Sequence, residues 1–214
     1  YAILGDFEYS TEQLPGVLAG SSMNRVALLD GALLAAASTQ WLTSGLDAQQ
    51  GAGETLADDA AFSGLAYSLG DPLSAALMTK ESALLRSGMV PHNLVEFDRP
   101  QGWTPIHDWT AIGLGYRDDG VKRSMRLALY YPDPTHAASD GPELVRRMED
   151  YQSTVFYSEG IGRKIFAEGW AELSWDHMPS GTGSVLVVTV DFIDHPLVPW
   201  HEFLDSKDLG FLIT

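Results

Sequence analysis

Five side chains near the C-terminal end have the types that hold a divalent ion: Asp191, Asp194, His195, His201 and Glu202. Imidazole nitrogen and carboxylate oxygen both ligate zinc and similar metals. Asp191 and His195 fall near an expected strand exit, where ligands often lie. The H-E-x-x-H arrangement, which sets two histidines on one helix face, is absent, because Phe203, Leu204 and Asp205 follow His201-Glu202. The plainer reading is a solvated loop punctuated by Pro196 and Pro199, ending in a capped short helix. A second group is His107, Asp108 and Trp109, with His92 nearby in sequence. A carboxylate can orient an imidazole for base catalysis. Adjacent residues of an extended segment point to opposite sides, so His107 and Asp108 cannot pair with each other there.

Other motifs are weaker. Gly181-Thr182-Gly183-Ser184 lacks the G-x-S-x-G spacing of a nucleophilic serine and reads as a hairpin turn. Gly160-Ile161-Gly162 begins like a dinucleotide loop, but Ile165 stands where the third glycine belongs. The Asp118-Asp119 pair and the stretch 133–140 could offer oxygens to calcium, yet neither has the spacing of an EF-hand loop. Trp41, Trp103, Trp109, Trp170, Trp175 and Trp200 lie mostly in the second half. Trp170 and Trp175 are an odd number apart, so on one strand they face opposite sides, one of them away from the main core. Surface indoles can stack on sugars or anchor a protein partner. On these grounds no catalytic, cofactor-binding or metal-ligating residue is assigned.

The elements that would position these groups read as α+β. Residues 1–9 suggest a strand, and Ser10 with Gln13 a capping box for a short helix limited by Pro15. Two apolar runs flank Asp30-Gly31 within 25–38, the pattern of a two-residue hairpin. A helix follows over about 38–48, then a glycine-rich loop at 49–54. The spacing of Phe62, Leu65, Ala66 and Leu69 predicts a helix over 55–69 with Asp58 and Asp59 in its first turn and Gly70 just past its end. A strand is expected at 73–78. Prolines and glycines make 80–108 a connection. Strands at 109–116 and 121–131 turn at Asp118-Asp119-Gly120, with Met125, Leu127, Leu129 and Tyr131 on one face. Asp140-Gly141-Pro142-Glu143 reads as the start of a helix reaching about residue 152, with Leu144, Val145, Met148 and Tyr151 inward. Strands at 166–175 and 184–192 join through a turn at 179–183. A short helix at 201–204 and a strand at 209–213 close the chain. Hairpins covered by helices in two pseudo-similar lobes, 1–79 and 109–214, give one α+β domain with a connecting loop at 80–108.

Composition narrows the partners. The 214 residues carry 29 acidic and 13 basic side chains, a net charge of −16. That field has the wrong sign for phosphate backbones and for anionic membrane surfaces. The longest apolar stretch, between Asp30 and Asp47, contains several hydroxyl and amide residues and falls short of the ~20 residues of a membrane span. With no cysteine there is no disulfide, thiolate metal site or cysteine nucleophile. A start at Tyr1 rather than Met reads as a processed form or a fragment, with any signal or anchor upstream.

The run Arg25-Val26-Ala27-Leu28-Leu29-Asp30-Gly31-Ala32-Leu33-Leu34, followed by Thr55-Leu56-Ala57-Asp58-Asp59 with Phe62 and Leu65, resembles bacterial exported lipoproteins of unknown function. Gly115-Tyr116-Arg117 with Leu129-Tyr130-Tyr131-Pro132-Asp133 looks like the companion unit, and Asp208-Leu209-Gly210-Phe211-Leu212 is similar to their tail. The resemblance implies a membrane-tethered extracytoplasmic domain and carries over no catalytic residue. The leading expectation is therefore a non-enzymatic extracytoplasmic binding or assembly module with a protein partner, such as an accessory subunit of a surface or membrane-associated complex. The alternatives are a metal-dependent hydrolase built on the 191–202 cluster and a periplasmic carrier of a small molecule or sugar, with Trp103, Trp109 or Trp170 lining its pocket.

Overall fold

The computed structural model describes residues 9–10, 17–20, 25–29, 32–36, 39–52, 55–86, 102–150, 171–193 and 212. The chain divides into two compact units, Tyr1–Asp58 and Asp59–Thr214. The fold is α+β, with antiparallel pairing throughout the two described sheets.

The first unit holds four strands in sequential order: β1 (Tyr9–Ser10), β2 (Val17–Gly20), β3 (Arg25–Leu29) and β4 (Ala32–Ala36). Leu29 pairs with Ala32, so the hairpin closes over the two residues that Asp30-Gly31 supplies. Helix α1 (Thr39–Gln49) follows where the apolar spacing places it. Ser10 belongs to a strand paired with β2 rather than to a helix cap. The rest of that expected short helix, and most of the expected opening strand, lie outside the described residues.

The second unit is a five-stranded sheet of order β5-β6-β7-β9-β8, formed by β5 (Ser74–Thr79), β6 (Ala111–Asp118), β7 (Arg123–Tyr131), β8 (Ala171–Ser180) and β9 (Gly183–Phe192). Helix α2 (Ala60–Leu69) packs on this sheet, and β5 hydrogen-bonds to β6, so the pairing runs across residue 79. Helix α2 starts five residues later than the sequence suggests. Asp58 is spent on Thr55, accepting from its backbone N–H and hydroxyl, and Asp59 is the N-cap, accepting from the N–H groups of Ala61 and Phe62. Within the expected connection a short helix, α3 (Lys80–Arg86), continues directly from β5. Residues 87–101 lie outside the described residues. Pro179 sits inside β8 rather than in a turn, which is tolerated because β8 is an edge strand with one unpaired side. The turn that follows is Gly181-Thr182, with Gly181 at φ +57.

The expected helix at 140 begins earlier. Helix α4 (His136–Asp150) is entered through Asp133, whose carboxylate accepts from the backbone N–H and hydroxyl of Thr135. Asp140 is buried inside the helix and bonded to His107, so it is not free to cap. Pro142 lies within the helix.

The sheet separates two cores. On one face Ile112, Leu114, Met125, Leu127, Leu129, Tyr131, Leu186, Val188 and Val190 pack with Leu144 and Met148 of α4 and with Trp103, Ile106 and Trp109. On the other, Ala111, Ala128, Tyr130, Val185 and Val187 pack under Leu65 and Leu69 of α2. Strand β7 is central, and its second face is buried at Ala128 and Tyr130 and polar at Ser124 and Arg126. Expected elements at 166–170, 201–204 and 209–213 lie outside the described residues. The exception is Leu212, which is buried in a 3₁₀ turn where a strand was expected; its carbonyl accepts from the Trp109 indole at 3.3 Å.

Candidate functional site

The second face of the sheet stops being apolar where α2 ends. Gly70, at φ +73, ends the helix, its N–H donating to the Tyr67 carbonyl. Beyond it a cleft of about 560 Å³ opens, floored by Arg117, Ser124, Arg126, Ser174, Thr189 and Asp191 and flanked by Asp71, Leu73, Asp118, Asp119 and Lys122. Arg117 pairs in register with Ser124, and Arg126 with Gly115, so the two arginines are diagonal neighbours on one face.

Most charges in this cleft are committed. Asp119 accepts from the N–H groups of Val121 at 2.9 Å and Lys122 at 2.6 Å, fixing the hairpin turn. Asp118 accepts from the Gly120 N–H and from the Arg123 guanidinium, both at 2.9 Å or less. These bonds favour the charged form and hold both carboxyls below the ordinary carboxylate value. Lys122 donates to Asp191 at 2.8 Å, which raises the lysine. Arg126 donates to the Ser68 carbonyl near the end of α2, at 2.8 Å, while its buried Nε has no partner. Burial, and then the charge of Arg117, push Arg126 downward. Helix carbonyl ends attract cations, so one arginine here is explained by the helix alone. Arg117 makes no hydrogen bond or ion pair among the described residues.

Of the five residues that the sequence offers to a cation, Asp191 is the one among the described residues. Asp191 is tied to Lys122, and Asp194, His195, His201 and Glu202 lie outside the described residues. Among the described residues no three histidine or carboxylate side chains are placed to hold a metal ion. The Asp-rich stretches considered for calcium bind their own backbone and neighbouring side chains.

The His107 group resolves differently from its sequence pattern. His107 and Asp108 do diverge. Asp108 pairs with Lys80, which also sits over the Trp109 ring. His107 finds its carboxylate in α4: Asp140 accepts from the His107 N–H at 2.7 Å and meets Nδ1 at 2.6 Å. The imidazole of His136 stacks on that of His107 with centroids 3.8 Å apart. Ser139 Oγ lies 3.4 Å from the same Nδ1 and donates to the His136 carbonyl. A nucleophilic triad needs the serine on one imidazole nitrogen and the carboxylate on the other, which this arrangement does not provide. Tyr131 lies beneath, and burial, then the Asp140 carboxylate, push its hydroxyl far up. The group is better described as a fastening. Asp140, Glu143 and Arg147 lie on one stripe of α4 and hold the backbone of 104–107: Glu143 accepts from the Thr104 N–H at 2.8 Å, and Arg147 donates to the Thr104 carbonyl. His92 lies outside the described residues.

Trp109 is fully buried and Trp103 nearly so, so both serve the core rather than a ligand face. Trp175 is 37% exposed and packs on Gly141, where a Cβ would come within 2.2 Å of the indole. Trp170 and Trp200 lie outside the described residues. The cleft at Arg117 and Arg126 left no motif in the sequence. Its one trace is that polar residues on β6 and β7 fall on the face opposite the expected core. Comparison with protein-family models, curated proteins and solved structures finds no match.

Proposed function

We propose that the chain is a non-enzymatic binding module that engages a partner through the hairpin end of the five-stranded sheet. One observation carries this reading: the cleft holding Arg117, which makes no hydrogen bond or ion pair among the described residues, has exposed aliphatic side chains on its lining and next in sequence to it. Leu73 lines it and is 71% exposed, Val121 beside Lys122 is 97% exposed, and Ile193 beyond Asp191 is 59% exposed. Aliphatics around a charged centre match the composition of a recognition surface better than that of a solvated hairpin. The resemblance to exported lipoproteins supports a membrane-tethered extracytoplasmic setting, and a chain without cysteine suits an exported bacterial protein. No helix among the described residues is long and apolar enough to cross a membrane.

The test is site-specific photocrosslinking in the cells that make the protein. A crosslinker at position 121 or 193 should capture one and the same partner, and one at exposed Glu149 on α4 should not. Equal capture from all three positions, or none from 121 and 193, would sink the reading. The same cleft also favours a second reading, a carrier of a small anion, which predicts ligand binding without a crosslinked polypeptide.

A further inference from the structure

We propose that Arg117 and Arg126 form an oxyanion site that takes a carboxylate or phosphate group of whatever occupies the cleft. The inference rests on the binding reading above and names the chemistry of the contact. Both guanidinium groups converge on the end of α2: a Cβ on Gly70 would lie 3.3 Å from Nη1 of Arg117 and 3.3 Å from Nη1 of Arg126. Two like charges converge there, and among the described residues they make one hydrogen bond to the helix end, from Arg126 to Ser68. An oxyanion between them would offset the repulsion and use the planar N–H forks, which suit carboxylate and phosphate. Further donors are at hand in the hydroxyls of Ser124, Ser174 and Thr189, which line the same cleft. Of the competing carboxylates, Asp118 is held by Arg123, Asp119 by the N–H groups of the turn and Asp191 by Lys122. Asp71 also lines the cleft and makes no such bond among the described residues, which leaves its carboxylate available to compete for the arginines. The absence of a side chain at Gly70 is what lets both guanidinium groups approach the end of the helix so closely.

The experiment uses the full chain at fixed ionic strength. Inorganic phosphate and succinate are titrated separately, with chloride as the control, while the arginine Nε–H resonances are followed by NMR. The expected result is a saturable shift of the Arg117 and Arg126 signals with phosphate or succinate and none with chloride. The anion that saturates at lower concentration identifies the group as phosphate or carboxylate. Arg117→Gln should weaken binding about tenfold or more, and Arg117→Lys should recover only part of it, because the charge is kept and the fork is lost. Asp71→Asn should tighten binding several-fold, a gain that a misfolded variant cannot give. Non-saturable shifts, or binding unchanged in both Arg117→Gln and Asp71→Asn, would overturn the proposal. A partner crosslinked at position 121 without anion binding would overturn this inference alone; anion binding without a crosslinked partner would overturn the partner reading alone.

Discussion

Asp140 has 3% of its surface exposed and spends its carboxylate on two bonds from His107. Its replacement takes the carboxylate from a part-buried imidazole nitrogen and from a backbone N–H, and such losses cost free energy away from water. Asp140→Ala should therefore destabilise the second unit by about 2–4 kcal/mol in urea unfolding. His107→Ala should cost less, because the ring is 45% exposed. If His107 were instead a general base, its loss would leave stability unchanged. Asp119 makes a different prediction, about pH. Its folded value is lowered by the Lys122 and Val121 N–H groups, so its contribution is present above the ordinary 3.8 and is lost as pH falls through the lower folded value. Asp119→Asn should lower Tm at pH 7, and the gap to the parent should close in strong acid. The sequence shows that His107 and Asp108 diverge, because alternation is a local property. It does not show Asp140 as the partner, because 33 residues of chain and a helix entry misread at Asp140 lie between them.

At the scale of elements, helix α2 decides both a core and a cleft. Leu65 and Leu69, at four-residue spacing, cover one half of the second sheet face, and the helix stops at Gly70 before covering the other. Leu65→Ala should cost about 2–5 kcal/mol by cavity formation, measured in urea. Gly70→Ala should cost about 1–3 kcal/mol, because φ +73 with ψ −129 is a conformation that side chains disfavour. It should also weaken anion binding, because the added Cβ reaches both guanidinium groups. These elements were legible where periodicity and end signals agreed, as at Asp30-Gly31, at Leu65 and Leu69, and on the Met125 to Tyr131 face. The helix start at Asp140 was misread because a tertiary bond to His107 redirects a residue suited to capping. The cleft was not legible, because it exists only where a helix ends over a sheet, and no linear spacing encodes that juxtaposition.

For the whole molecule, the division at Asp58 and the charge of −16 each make a claim. The second unit owns both cores of its sheet, so a chain beginning at Asp59 should fold alone and unfold cooperatively. Two transitions in the full chain, one of them matching that shorter chain, would be the expected calorimetric record. The charge acts on every part at once. Carboxylates outnumber cations by 16, and few of the described pairs are buried, so their mutual repulsion opposes compaction and passes largely through solvent. The Debye length shortens from ~30 Å at 0.01 M salt to ~10 Å at 0.1 M, which spans the dimension of a domain. Added sodium chloride should therefore raise Tm over this range, unlike a protein whose stability rests on exposed ion pairs. The same field acts on the arginine site. It lowers the local concentration of an approaching anion without altering the short-range bonds once the anion is seated. The association rate of phosphate should consequently rise as an inert salt screens the field, while its dissociation rate stays nearly constant. A salt-dependent fall in association would mean that the local charge around Arg117 and Arg126, rather than the net charge of the chain, governs approach to the cleft.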